Sequence, residues 1–202
     1  MEQLPSGSWL AKAYAGKDPS RPNAVYLDPK GTRVPLAGQA YLHVVFTGVT
    51  GEPAKLAAAQ PGYPQLLTVA PAGYFEGVAS FGIGLASKSG TVHVFTLKDP
   101  ARLVIDVSHA RLPKFPGIWD ARTWAQYWSL QYTWLNGHQP WLASPLLVVQ
   151  AWAGSGAKIT QLSANAFRVM KTGRVYTVTG RVPVPVPGPW VMTTAVPVPI
   201  GP

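Results

Sequence analysis

The chain has 202 residues, 47% of them apolar and 12% charged, with 17 Lys plus Arg against 8 Asp plus Glu. That length holds one large domain or two small ones with cores of their own, and a formal charge of +9 favours polyanionic partners: nucleic acid, anionic lipid or acidic cell-wall polymers. The absence of cysteine excludes disulfides, thiolate zinc sites and thiol nucleophiles, and no window approaches the ~18 uninterrupted apolar residues of a membrane-spanning helix.

Gly and Pro together make 41 residues, 20 plus 21. With alternating apolar runs between them, they describe a turn-rich β protein. Residues 1–23 carry Gly7, Gly16, Pro19 and Pro22 and read as irregular. They show no basic stretch followed by an apolar core, so no signal peptide is expected in them as written. Ala24–Leu27 is a short strand closed by the turn Asp28-Pro29-Lys30-Gly31, and Thr32–Leu36 leads into Ala40–Thr47. There Leu42, Val44 and Phe46 fall on one face and Tyr41, His43 and Val45 on the other, the pattern of a central strand. Residues 48–66 read as a long loop with one helical turn at Lys55–Gln60, and Leu66–Ala70 as a strand. Val78–Phe81 and Ile83–Leu85 flank Gly82, which predicts a bulge or a close backbone approach. Ser87–Gly90 makes a turn. Thr91–Leu97 and Arg102–Val107 are strands joined by Lys98-Asp99-Pro100-Ala101.

At Pro113 the pattern changes from strands to helices. Asp120 is the expected N-cap of a helix over Ala121–Asn136, with Gly137 as its stop. Trp124, Trp128, Gln131 and Leu135 share one helical face, beside Tyr127, Leu130 and Trp134. His138–Trp141 is a bend in which His138 caps carbonyls or stacks on Trp141, and Ser144-Pro145 opens a second helix to Ala153. Strands follow at Ile159–Leu162, Ala166–Met170, Val175–Thr179 and Trp190–Val196, with a hairpin turn at Lys171-Thr172-Gly173-Arg174. Val182–Pro189, VPVPVPGP, lacks donors at its prolines and is expected as an extended edge or stiff loop.

Three blocks carry a family resemblance: GTRVPLAGQAYLHVVF at Gly31–Phe46, FEGVASFGIGL at Phe75–Leu85 and FTLKDPARLVIDV at Phe95–Val107. In that order they resemble the AMIN-like domain of Gram-positive bacterial envelope proteins. The resemblance implies a β-sandwich in secreted or lipid-anchored proteins, and hence an extracytoplasmic or cell-surface address. It does so by analogy with the AMIN domains that localise cell-wall amidases by binding envelope polymers. Such domains usually open with an Asp-Arg-Val-Val-Phe strand, and nothing between Met1 and Asn23 matches it. The first strand is therefore expected to be replaced or lost, and its loss would leave an open edge. More loosely, the second half resembles a module of exported Gram-positive proteins with a Gly-His-Gln-Pro-Trp bend, here Gly137–Trp141. The fold class is mainly β with α: a β-sandwich-like domain over 1–112, then a small α+β domain over 113–202, two helices followed by an antiparallel sheet.

No catalytic constellation emerges. Glu76 has no evident second carboxylate for glycoside hydrolysis. His43, His93, His109 and His138 lack metal-ligand spacing, although His43 and His93, both mid-strand, could face one sheet surface. Gly82-Ile83-Gly84 lacks the remainder of a dinucleotide fingerprint. Glu76, Asp99, Arg102 and Asp106 read as fasteners of turns, with Arg102 pairing to Asp106 or Glu76. No cofactor, metal or enzymatic activity is expected, a carbohydrate-active enzyme using Glu76 being the weaker alternative.

Binding is the remaining class. Seven of the eight tryptophans lie beyond residue 112, as core filler or as a surface strip for sugar rings. The basic residues there number seven against Asp120 alone, and Lys158, Arg168, Lys171, Arg174 and Arg181 fall in the predicted sheet. These five and Trp190 are the expected ligand-binding residues. Teichoic acid or anionic lipid fits the implied address better than nucleic acid, for which nothing specific is expected. A protein partner is the other candidate, and self-association through stiff Pro-rich segments and an open strand edge is the competing reading.

Overall fold

The computed structural model describes residues 9–15, 24–27, 32–50, 58–61, 63–87, 91–99, 102–108, 111–184 and 188–199. The chain is mainly β, 45% strand and 17% helix, and divides into two units, Met1–Leu112 and Pro113–Pro202. The predicted turns at Asp28–Gly31 and Lys88–Gly90 and the residue His109 lie outside the described residues.

The first unit is built on β4 (Ala40–Phe46), the strand whose two faces are both apolar in sequence. It is central in a four-stranded antiparallel sheet of order β1-β4-β6-β5, with β1 at Trp9–Ala15, β5 at Leu66–Phe75 and β6 at Val78–Leu85. Period-2 alternation sends Ala40 and Leu42 to one face, where they join Leu66, Ile83 and Leu85 and are covered by Val92, Ile105 and Val107. Those three come from a hairpin of β7 (Val92–Leu97) and β8 (Arg102–Val107). On the opposite face Tyr41 packs with Ala70, Ala72, Val34 and Leu36. Val34 belongs to a second hairpin, β2 (Ala24–Leu27) with β3 (Thr32–Pro35). The central sheet is thus covered by a hairpin on each side, a sandwich-like arrangement.

Four sequence expectations are decided or corrected here. The first strand is replaced and not lost: β1 pairs with the whole of β4, Ala11, Ala13 and Ala15 standing opposite Val44, Leu42 and Ala40. Alanine has weak strand propensity and hides the segment in sequence, but pairing to an apolar central strand overrides that preference. β5 runs on past Ala70 through Pro71, because it is the sheet edge and its ladder shifts register between Pro71 and Gly73. Gly82 marks no bulge, since β6 is one continuous strand with Gly82 opposite His43 and Ala70. The predicted helical turn falls partly outside the described residues, and Ala59 within it forms a β-bridge to Val69.

A tight crossing closes the sheet. The Gln39 N–H donates to the Leu85 carbonyl at 2.8 Å, the Gln39 amide to the Ala86 carbonyl at 3.1 Å and the Ala37 N–H to Thr68 Oγ1 at 3.2 Å. Thr68, fully buried, is thereby satisfied. The approach is close enough that a Cβ on Gly84 would overlap the Ala37 carbonyl oxygen, and one on Gly38 the Leu85 carbonyl oxygen.

In the second unit, α1 (Trp124–Leu135), a 3₁₀ turn (Pro140–Ala143) and α2 (Pro145–Ala153) precede a meander of β9 (Lys158–Ser163), β10 (Ala166–Lys171), β11 (Arg174–Arg181) and β12 (Val191–Pro197). The sheet order is β12-β11-β10-β9, antiparallel throughout. Phe167, Val169, Val178, Trp190 and Met192 pack from the sheet onto Leu142, Val148, Val149 and Ala153 from the helical segment. α1 ends as its sequence announces. The Gly137 N–H donates to the Trp134 carbonyl, the His138 N–H to the Thr133 carbonyl, and Gly137 takes φ +81. Val182–Val184 and Gly188–Pro189 are loop, with Val184 buried, and residues 185–187 lie outside the described ones.

The N-cap of α1 is Thr123, not Asp120. Thr123 Oγ1 accepts from the Gln126 N–H at 3.2 Å while Gln126 Oε1 accepts from the Arg122 N–H at 2.8 Å, a close relative of the capping box. Asp120 sits at φ +62, away from the extended backbone that Thr123 has and that α-helix N-caps typically adopt. Partial desolvation pushes its carboxyl from the ordinary 3.8 up to about 6. The folded state thus holds this proton more tightly than the unfolded one. Its contribution to stability is fully present below pH 3.8 and is lost as pH rises toward 6. Asn tolerates left-handed backbone equally well, so Asp120→Asn is expected to melt slightly above the parent at pH 7 and to equal it at about pH 3. Because the residue remains exposed, the gain is well under about 1 kcal/mol. Melting curves at both pH values check this, and a gain persisting at the low pH would remove the carboxylate from the explanation.

Candidate binding face

Helices cover one face of the β9–β12 sheet, and the residues between the core positions form the other. Register aligns them in rows. Lys158 stands opposite Met170 and Met170 opposite Val175. Thr160, Arg168, Thr177 and Val196 form the next row, and Ser163, Ala166, Thr179 and Thr194 the third. Directly opposed side chains lie about 5 Å apart, and diagonal neighbours such as Lys158 and Arg168 about 7–8 Å. Thr179 and Thr194 share a hydroxyl–hydroxyl hydrogen bond of 2.7 Å. Met170 and Val196 are 48% and 57% exposed, so this is an open surface of hydroxyls, apolar side chains and cations.

The six expected ligand residues divide on this frame. Lys158 and Arg168 are exposed on the open face, and Arg181 lies on the same face of β11, about 13 Å along the strand from the position opposite Arg168. Arg174 is exposed at the β10–β11 turn, where Thr172 and Gly173 both take positive φ, the type I′ pattern. Lys171 points the other way: its Nζ donates to the Trp152 carbonyl at 2.6 Å and lies 4.6 Å from the Trp152 ring centroid, holding the last turn of α2. Trp190 is buried, with its Nε1 bonded to Asn165 Oδ1 at 3.0 Å and its ring edge-on to Phe167. Trp190 is part of the core of this unit and not of its open face. The other six tryptophans of this unit are also buried or half-buried, so none forms a surface strip. Asp120 is the sole carboxylate of the unit, so nothing within it neutralises the open face.

The acidic and basic turn residues of the first unit fall elsewhere. Glu76 occupies the β5–β6 turn at φ +46 and Asp99 the β7–β8 turn at φ +52. Arg102 begins β8 and Asp106 lies four residues on along the same strand, about 13 Å away by strand rise, which rules out the expected ion pair. Glu76 belongs to the four-stranded sheet and Arg102 to the β7–β8 hairpin. His43 and His93 share no surface either: His43 lies in the central sheet, His93 in the hairpin beside Phe95. Sequence reasoning missed the threonine rows, which become visible only once the register is known.

Residues 15–109 match the family model of the AMIN-like domain. The match begins at the last residue of β1, so most of the strand that completes the sheet precedes it. No curated protein and no solved structure matches the chain.

Proposed function

Because residues 15–109 are an AMIN-like domain, a type of module with a cell-envelope-associated binding role, we propose that this chain is a non-catalytic envelope protein that holds an anionic wall polymer on its second sheet. Its place is extracytoplasmic. The observation that carries the reading is Lys158 and Arg168 as diagonal neighbours on an open face whose unit contains one carboxylate. An open antiparallel face suits a chain-like polyanion. Cations track successive phosphates or carboxylates, threonine hydroxyls bond the oxygens between them, and Arg offers its planar fork to each group. Exposed cations act through screened attraction, so binding weakens as salt rises. Among the described residues no helix is long and apolar enough to cross a membrane.

Co-sedimentation of the full chain with cell walls, before and after removal of their anionic polymers, tests this. Untreated walls are expected to retain the protein at low salt and release it at high salt. Lys158→Gln with Arg168→Gln should lower the affinity about ten-fold, roughly 1.4 kcal/mol. Lys114→Gln with Arg122→Gln, the same charge change off this face, should not. Equal retention by stripped walls, or equal loss in both double variants, would rule the face out.

A further inference from the structure

The β5–β6 turn of the first unit forms a hollow of ≈220 Å³, lined among others by His43, Gly73, Phe75, Glu76, Val78 and Ser80. It arises from the register shift between Pro71 and Gly73, after which a residue without a side chain stands opposite Ser80. Phe75 and Val78 face each other across the turn and are left 48% and 36% exposed, an apolar wall with no cover among the described residues. Glu76 stands between them in the chain, and among the described residues no second carboxylate lines the hollow. Its φ of +46 is a conformation that Asn, Asp and Gly adopt far more readily than Glu. Among the described residues its carboxylate takes part in no hydrogen bond or ion pair that would explain a glutamate there.

A carboxylate beside an exposed aromatic ring and an aliphatic wall matches one ligand chemistry well. We propose that this hollow binds a primary ammonium on an aliphatic stem, the end of a lysyl-type side chain presented by a peptide. The ammonium donates to the Glu76 carboxylate in a charge-assisted hydrogen bond. The Phe75 ring attracts the same charge through its π face. Methylenes of the stem cover Val78, and Ser80 Oγ accepts a remaining ammonium N–H. An anion would be repelled here, and a neutral sugar would leave the Glu76 charge unanswered. The site lies in a different unit from the cationic sheet face and stands independently of it.

The test is an NMR titration of the full chain with Nα-acetyl-lysine methylamide, with the norleucine analogue and a methyl N-acetylglucosaminide in parallel. The lysine derivative is expected to shift the amides of Phe75, Glu76, Val78 and Ser80 saturably, and the other two compounds to leave them in place. Glu76→Gln should weaken the lysine derivative about five-fold or more. Glu76→Asn, which suits the turn backbone better, should do the same and covers the case in which the Gln variant fails to fold. Charge-preserving Glu76→Asp should retain part of the affinity. Equal shifts from lysine and norleucine, a response to the sugar alone, or full affinity in the Asn variant would each overturn the assignment. Loss of wall binding by the Lys158 and Arg168 variants leaves this titration unchanged, so the two sites can fail separately.

Discussion

Gly84→Ala is expected to lower the melting temperature of the first unit by more than about 10 °C. The added Cβ would overlap the Ala37 carbonyl oxygen, and its next nearest neighbours, Ala37 C and N, are backbone as well. Gly84 belongs to β6, which is laddered to β4 on one side and β5 on the other, so the strand cannot retreat. The Ala37 segment is held in turn by the bonds from Ala37 to Thr68 and from Gln39 to Leu85 and Ala86. Relief requires breaking one of these ladders. Overpacking of this kind costs about 3 kcal/mol or more when backbone rather than a side chain must yield. Thermal unfolding followed by circular dichroism measures the effect, and a melt within about 2 °C of the parent would show that the crossing has room for a methyl group.

Trp190→Ala should cost about 3–5 kcal/mol, as truncation of a buried large aromatic does. Trp190 is 2% exposed, its ring is bonded through Nε1 to Asn165, and its backbone N–H donates to the Leu142 carbonyl at 2.8 Å. The ring lies so close over Gly180 that a Cβ there would overlap it. Trp190→Phe keeps an apolar ring and forfeits the indole bond, a loss of about 1 kcal/mol. Urea denaturation separates the two. The folded Phe variant should bind cell walls as the parent does, which a tryptophan serving as a sugar-stacking platform would not allow. A drop in wall binding without a drop in stability would return Trp190 to the ligand.

These two residues mark where the sequence is legible. Strands β4, β7, β8 and β10 could be read from alternation, and the Lys171–Arg174 turn and Gly137 stop from local turn chemistry, because each depends on neighbours in the chain. Thr123-x-x-Gln126 is an equally local capping signature, but Asp120 is the better N-cap residue by type, and residue type alone does not rank the two. β1 was hidden because its alanines acquire strand character only from β4, more than twenty residues on. The binding face was half legible. Cations between Lys158 and Arg181 were evident in the sequence, but their sides were not, since a one-residue change of register inverts every side chain. Lys171 turns away from the open face for that reason, and Trp190, which precedes β12, is buried. The hollow at Glu76 depends on a register shift at Pro71, which no periodicity encodes.

The sheet orders carry a kinetic consequence. In β12-β11-β10-β9 every neighbour in space is the neighbour in sequence, so each pairing closes only a short loop. In β1-β4-β6-β5 the outer strand waits for a partner that follows two intervening strands. Non-local pairing must meet its loop-closure entropy before contacts compensate it, which slows the search. The half made first by a ribosome is therefore the slower to complete, and the aromatic half behind it can finish while the leading sheet is still without its edge.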